Sequence, residues 1–350
     1  MKIEKKIINE INILAEEFDE VKFMEVCGTH TQTVAKYGIR GVLPENIKLI
    51  SGPGCPVCVT SQEDIDAVIE LALNGISIAT YGDMIRVPGS KMSLDYAKAK
   101  GSDITIVYSI EDCFKIKKLK ENLDNDNLVF FGVGFETTTP MTCVALKKGL
   151  TVYSVHKLVV PAMDALLAMG EIKIDGFIDP GHVSTIIGVK PYRKLKVPQV
   201  ITGFEAVDVL ASVLMLLRQL KEGRCEVENE YARLVHEEGN VKALNLMNEV
   251  LDVADSRWRG FGVIPKSGME VRDDELNAKI KYGEILNEIP KPGEIPGCAC
   301  SEIIRGLKEP DECPLFREVC TPDAPRGPCM VSQEGTCNIF FRYSAGSALP

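Results

Sequence analysis

Gly52-Pro53-Gly54-Cys55-Pro56-Val57-Cys58 is the stretch on which the reading of this chain turns. Two glycines and two prolines impose an irregular backbone around two thiols in C-x-x-C spacing. An apolar run, Ile47 to Ile50, enters it as a buried strand. Thr60-Ser61-Gln62-Glu63 leaves it as a capping box, with Thr60 as N-cap and Glu63 at N3. Ile65, Val68, Ile69 and Ala72 then recur at helical spacing. The thiols therefore occupy a strand-to-helix turn at the positive end of a helix dipole, which predicts a cysteine pKa below the free value of about 8.5. The plainer alternative is a tight turn whose cysteines are small buried hydrophobes; C-x-x-C favours redox or metal chemistry over it.

The same strand–turn–helix grammar recurs along the chain. Val21 to Val26 reads as a strand running into Cys27-Gly28-Thr29-His30, with Thr29 and Gln32 as a second capping box and a short helix that stops at Gly38. Ile76 to Thr80 and Ile104 to Tyr108 are further strands, with a helix ending over Ala97 to Gly101 between them. Lys115 to Asn127, charged and Asn-rich, reads as a connection. Leu128 to Val133 is a strand followed by Gly134-Phe135-Glu136-Thr137-Thr138-Thr139-Pro140, where Thr139 as N-cap and Pro140 at N1 start a helix. Strands also read at Thr151 to Val155, Ile174 to Ile178 and Gln199 to Thr202, with Pro161 and Glu205 opening helices. Such alternation predicts open parallel sheets, with ligands outside the carboxyl ends of the strands. On that geometry Cys27, His30, Cys55 and Cys58 share one edge.

The expected architecture is α/β: two open parallel-sheet units, then a C-terminal, mainly helical, cysteine-rich region. The corresponding segments are 1–122, 123–222 and 223–350. From Arg224 to about Asn287 the pattern is helical, and Trp258 reads as packing. Glu136 is a functional acid, a cap or a surface acid, and His182, in Asp179-Pro180-Gly181-His182, ligates a metal, shuttles a proton or is merely hydrogen-bonded. Gly203-Phe204-Glu205 repeats Gly134-Phe135-Glu136, an echo ascribed to chance. Neither G-x-x-x-x-G-K-[ST] nor G-x-G-x-x-G occurs, so a nucleotide reading of the threonines is weak.

Composition removes several classes. A net charge of −10 argues against a general nucleic-acid binder. The longest strongly apolar run, Val209 to Leu217, is about half a membrane span, so no membrane partner is expected. The N-terminal residues read as an amphipathic helix and not a signal peptide. Twelve unevenly spread cysteines without a secretion signal point to a cytoplasmic metal or redox protein.

Half of those cysteines, Cys298, Cys300, Cys313, Cys320, Cys329 and Cys337, fall in the last part of the chain among prolines and glycines. Thiolates on irregular loops suit an iron–sulfur cluster or a tetrahedral zinc. The spacing C-x6-C-x8-C-x7-C from Cys313 to Cys337 lacks the close pairs of zinc sites and favours a [4Fe–4S] cluster. It also lacks ferredoxin spacing. Cys298 and Cys300 are left as spare thiols or a redox relay, and structural disulfides are the alternative.

Taken in order, Cys27-Gly28-Thr29-His30, Gly52 to Cys58, Gly134-Phe135-Glu136-Thr137-Thr138, Pro180-Gly181-His182-Val183-Ser184 and Gly327-Pro328-Cys329-Met330-Val331-Ser332 resemble the motifs of the HypD family of hydrogenase maturation factors. The resemblance spans nearly the whole chain. It implies a protein that helps build the Fe(CN)2(CO) unit of [NiFe]-hydrogenases with a HypC-type chaperone, takes cyanide from a HypE-type donor and carries a [4Fe–4S] cluster. Position by position, Cys27 matches the thiol that holds iron together with the chaperone's N-terminal cysteine. Cys55 and Cys58 match a redox-active pair, His30 and His182 match residues lining the same cleft, and Glu136 stands in the matched Gly-Phe-Glu. Cys313, Cys320, Cys329 and Cys337 stand at the cluster positions, where Cys298 or Cys300 can replace one. The expected class is a metal-centre assembly scaffold with redox activity. An iron–sulfur thiol–disulfide reductase and a zinc-stabilised binding scaffold are the other classes left open.

Overall fold

Strands such as Leu128–Gly134 and Thr151–Lys157 are buried at every position, so they need cover on both faces and belong in parallel sheets. The computed structural model describes residues 2–121, 127–289 and 295–343. Its strands are β1 (Val21–Glu25), β2 (Ile47–Ser51), β3 (Ser77–Tyr81), β4 (Ile104–Val107), β5 (Leu128–Gly134), β6 (Thr151–Lys157), β7 (Gly176–Pro180), β8 (Gln199–Thr202), β9 (Val227–Asn229), β10 (Leu251–Trp258) and β11 (Gly262–Val271). They form one sheet of order β2-β1-β7-β8-β9, parallel throughout, and a second of order β10-β11-β6-β5-β3-β4. In the second sheet only β11 against β6 and β10 against β11 are antiparallel.

Period-two alternation assigns each strand face to a core. Phe23, Leu49, Ile178 and Val200 point into one apolar layer, shared with the helices Lys2–Ala15 and Ala206–Lys221. Met24, Phe177 and Ile201 point the other way, into a middle core that also receives Ile78, Val129 and Phe131 of the second sheet. A third layer backs Ala79, Phe130 and Val152. The middle core contains Cys55, Cys58, Cys300, Cys313, Cys320, Cys329 and Cys337, so both sets of thiols are packed in one apolar interior between the sheets. Among the described residues no helix is long and apolar enough to cross a membrane.

The two-sheet α/β class with a cysteine-rich C-terminal region matches the expectation; the way the chain is shared between the sheets does not. The chain lays down β1 and β2, crosses to the second sheet for β3 to β6, returns for β7 to β9 and ends on β10 and β11. The segment 1–122 therefore supplies strands to both sheets, and so does 123–222; the boundary at 122 and 123 lies outside the described residues. Apolar pattern fixes that a strand exists, while its neighbours are chosen by packing over long crossovers. The region read as helical from Arg224 to Asn287 instead holds β9, the helix Val241–Val250 and the β10–β11 hairpin. Lys115 to Glu121 is the end of the helix Glu111–Glu121 and not a connection.

Several caps sit one or two residues from their expected places. Ser61, not Thr60, caps the helix Gln62–Leu73, accepting from the Asp64 N–H, while the Thr60 hydroxyl donates to the Pro56 carbonyl. Thr60 is not free to cap because Pro56–Val59 forms a short helix of its own, with Cys55 as N-cap. Cys27, not Thr29, stands at the N-cap of Gly28–Lys36, and Thr138 at that of Thr139–Lys147. The helix containing Pro161 starts earlier, at Val159.

At one position glycine is demanded by a close approach. A Cβ on Gly54 would lie 2.2 Å from the Cys27 nitrogen and 2.4 Å from its Cα. A Cβ on Gly41 would meet nothing within 4 Å. Gly54→Ala is therefore expected to lower the unfolding free energy by about 1–3 kcal/mol in urea denaturation, against less than about 0.5 kcal/mol for Gly41→Ala. Equal losses would mean that the turn yields without cost.

Candidate functional site

Four adjacent strands of the first sheet end at the same edge, and each delivers one sequence motif there. β2 leads into Gly52 to Cys58, β1 into Cys27 to His30, β7 into Gly181 and His182, and β8 into Gly203 and Phe204. The Gly52–Gly54 turn crosses directly over Cys27, where the Gly28 N–H donates to the Gly54 carbonyl at 3.3 Å. Cys55 and Cys58 are joined as a disulfide, with the Cys58 N–H pointing at Cys55 Sγ at 3.2 Å. They are oxidised and buried, so the expected free thiol of lowered pKa is not what this turn presents.

Cys27 is 2% exposed, and its Sγ lies 3.9 Å from His182 Nδ1. Burial pushes its thiol up to about 12, outweighing the backbone N–H groups of His30 and Thr29 that favour a thiolate. Glu334 of the cysteine tail adds to the rise: its backbone closes on Gly28, where a Cβ would meet the Glu334 carbonyl oxygen at 2.3 Å. His30 is fully buried; its Nε2 pairs with the Gly203 carbonyl at 2.8 Å, while Nδ1 has no partner. Burial drops both His30 and His182 to about 4, so both imidazoles are neutral at pH 7.

The ring that organises this pair was not identified from sequence. Phe204 stacks on His30 with centroids 4.9 Å apart and tilts against His182 at 5.2 Å. It also lines a groove of ≈ 480 Å³ with Gln32, Lys36 and Tyr37. The repeated Gly-Phe-Glu was the available signal. Each copy follows the end of a parallel strand, β5 or β8, but they do different work: Phe135 stacks on Trp258 at 6.0 Å, and Glu205 is an exposed capping-box residue. Trp258 is core, as expected, with its Nε1–H donating to Ser267 at 2.8 Å.

Two buried carboxyls stand at this edge, Glu25 and Asp179, and a third, Glu136, follows β5 of the second sheet. Glu25 Oε1 accepts from the Thr31 and Ser51 hydroxyls at 2.7 Å each, yet burial raises its pKa to about 8 and Oε2 has no partner. Glu136, from the second sheet, accepts the Val159 N–H at 3.0 Å, leaves Oε2 unpartnered and is raised to about 7 by burial. Asp179 has no partner on either oxygen, and burial holds its pKa far above the usual carboxylate range. Burial raises the Tyr192 hydroxyl well above its ordinary range, and Asp179, Glu136 and Cys27 add to that rise. Glu25 and Asp179 were also missed in the sequence; the signal was an acid at the carboxyl end of an apolar strand.

The cysteine tail packs on this edge. Its helix Pro328–Val331 lies against Pro56–Val59, and Thr336–Tyr343 lies against Gly28–Lys36. Ser332 donates to Asp83 at 2.9 Å. Of the six tail cysteines, Cys298 is half-buried and the other five are buried. Cys300 Sγ is 2.7 Å from Cys329 Sγ, Cys298 neighbours Cys300, and Cys320 is influenced by Cys337 and Cys313. Among the described residues no three His, Cys, Asp or Glu side chains are gathered to hold one metal ion. An iron–sulfur cube takes one thiolate per iron and spreads its ligands around itself, so the donor set is the relevant test. All-sulfur, five of them buried and with Cys300 against Cys329, these side chains have the donor chemistry for such a group.

A family model described as HypD, hydrogenase formation hypA family, matches residues 2–344. A provisionally named hydrogenase expression/formation protein of Methanocaldococcus jannaschii is 48% identical over 351 residues, covering 97% of this chain and 96% of that one. The hydrogenase maturation factor HypD of Rhizobium leguminosarum bv. viciae is 42% identical, covering 97% and 92%. That of Cupriavidus necator is 41% identical, covering 94% and 91%.

Glu136 gives the site a measurable pH signature. Its folded carboxyl keeps its proton up to about pH 7, whereas the unfolded one releases it near its ordinary value of 4.5. The native state thus binds the extra proton between these values, and this group's contribution to stability falls as pH rises through that window. Glu136→Gln removes the loss. Its stability relative to the parent should climb between pH 4.5 and 7 by on the order of 3 kcal/mol, at about 1.36 kcal/mol per pKa unit. Parallel urea-denaturation curves at pH 5 and pH 8 would contradict this assignment.

Proposed function

The chain belongs to the HypD family of hydrogenase maturation factors, and from that premise we propose that it is an iron-carrying scaffold. On it, together with a HypC-type chaperone, the Fe(CN)2(CO) unit of a [NiFe]-hydrogenase is assembled in the cytoplasm, with cyanide taken from a HypE-type donor. The observation that carries this reading is a buried thiol, Cys27, with a neutral imidazole 3.9 Å from its sulfur and the Cys55–Cys58 disulfide on the turn that crosses it.

The iron unit is the cargo. Low-spin iron with cyanide and carbonyl ligands still takes soft donors, and Cys27 supplies one as thiolate. Its thiol is protonated at rest, so loading iron releases that proton. His182 is neutral and presents Nδ1 to the sulfur, where it can receive the proton and pass it on. His30, pinned by the Gly203 carbonyl, keeps Phe204 in place from the other side. Glu25 and Asp179, kept protonated by burial, add no negative charge at this edge against incoming anionic cyanide.

The Cys55–Cys58 disulfide takes up two electrons and two protons to become two thiols, and re-forms when it gives them back. Cys313, Cys320, Cys329 and Cys337 would hold a [4Fe–4S] cluster, with Cys298 or Cys300 able to replace one of them. When bound, that cluster supplies single electrons. The protein's own part is to bury the thiols in one core, so that exchange with the disulfide is shielded from water.

Cys27→Ala is expected to fold normally, lose bound cargo iron and fail to restore hydrogenase activity in a strain lacking its own copy. Cys55→Ala should fail in the same complementation while the visible absorption of the anaerobically purified protein stays unchanged. Full complementation by either variant would overturn the role given to that residue.

A further inference from the structure

A cavity beside the cysteine tail reaches Cys298 and Cys300, the two thiols held above as alternative cluster ligands, while the rest of its lining takes no part in the function proposed above. It encloses ≈ 350 Å³ between the start of the helix Gln62–Leu73, the turn joining β10 to β11, and Cys298. That volume falls at the lower end of the range for small-molecule sites, about 300–1,000 Å³. Three guanidiniums line it, Arg257, Arg259 and Arg305, on a chain whose net charge is −10.

Two of the three are balanced by acids: Arg257 pairs with Glu63 at 2.9 Å and Arg305 with Glu171 at 3.1 Å. Arg259 is not. Its Nε donates to the Thr60 carbonyl at 3.1 Å, and both terminal nitrogens donate to Gln62 Oε1 at 3.3 Å. All of these acceptors are neutral, and among the described residues Arg259 makes no ion pair. The Nε–H of Arg305 is buried with no acceptor. The helix that opens at Gln62 adds its positive end. Ser61 caps the Asp64 N–H, while those of Gln62 and Glu63 have no acceptor within the helix. A guanidinium with no carboxylate partner, a second one shared with Glu171 and a helix start thus line one concave space.

We propose that this cavity binds a small molecule through an oxyanion, a phosphate or a carboxylate, held by Arg259 and Arg305 at the start of the helix. Planar guanidinium forks match such groups bidentately, and a partly enclosed site strengthens the contact. The occupant lies against Cys298, the one tail cysteine that is not buried, and so covers the thiol through which the tail meets solvent.

Trp258, the sole tryptophan, lines the same cavity and reports on it. Inorganic phosphate, pyrophosphate and citrate are titrated separately into the full chain at constant ionic strength, following tryptophan fluorescence. A saturable change is expected, at least about tenfold weaker in Arg259→Gln and Arg305→Gln and partly restored in Arg259→Lys. Saturation by the phosphates alone assigns a phosphate; saturation by citrate alone assigns a carboxylate. Iodoacetamide labelling of Cys298 in the unaltered chain, mapped by mass spectrometry, should slow at saturating anion, a readout independent of how the variants fold. No saturable change with any of the three anions, unaltered affinity in Arg259→Gln, or no protection of Cys298 would overturn the proposal.

Discussion

The close crossing of Gly54 over the Cys27 backbone is the constraint on which the rest depends. The turn approaches to within a distance that only a glycine permits, and this fixes the end of β2 on the end of β1. A parallel sheet then does the remaining positioning: β7 lies beside β1 and β8 beside β7, so His182 and Phe204 emerge on the same edge. The tail closes from above, with Glu334 against Gly28 and the helix of Cys329 against that of Cys58. Displacing the turn would move the disulfide, the iron-holding thiol of the proposed scaffold and the tail contact together.

Burial sets the chemistry of that edge. A cysteine at a helix N-terminus is ordinarily expected to ionise easily, but Cys27 rests as a thiol because desolvation outweighs the nearby N–H groups. The same desolvation keeps His30 and His182 neutral and Glu25 and Asp179 protonated. The site is thereby almost uncharged at rest. Its unpartnered atoms, His30 Nδ1, Glu25 Oε2 and both Asp179 oxygens, are the cost of holding polar groups in an apolar interior.

Much of this was legible in the sequence because local signals are strong there. Strand runs before Cys27, Cys55 and His182, and the glycines and prolines after them, placed all three motifs at carboxyl ends of strands. Which strands pair was not legible. β3 and β7 are both almost wholly buried, yet they join different sheets, a choice made by packing between residues far apart in the chain. The β10–β11 hairpin was misread because Leu244, Met247 and Val250 give a sound helical period just before it, and that period was carried on too far. Phe204 went unassigned because its role lies in two rings from distant segments, which a repeat of three residues cannot reveal.

The tail's thiols share one interior with the Cys55–Cys58 disulfide, and the role proposed for them is to hold a redox cluster there. Absorption spectroscopy with iron, sulfide and zinc analysis of protein purified without oxygen tests this most directly. The account predicts a brown protein with about four irons and four sulfides per chain. A colourless protein that holds zinc, even after attempted reconstitution with iron and sulfide, would contradict it.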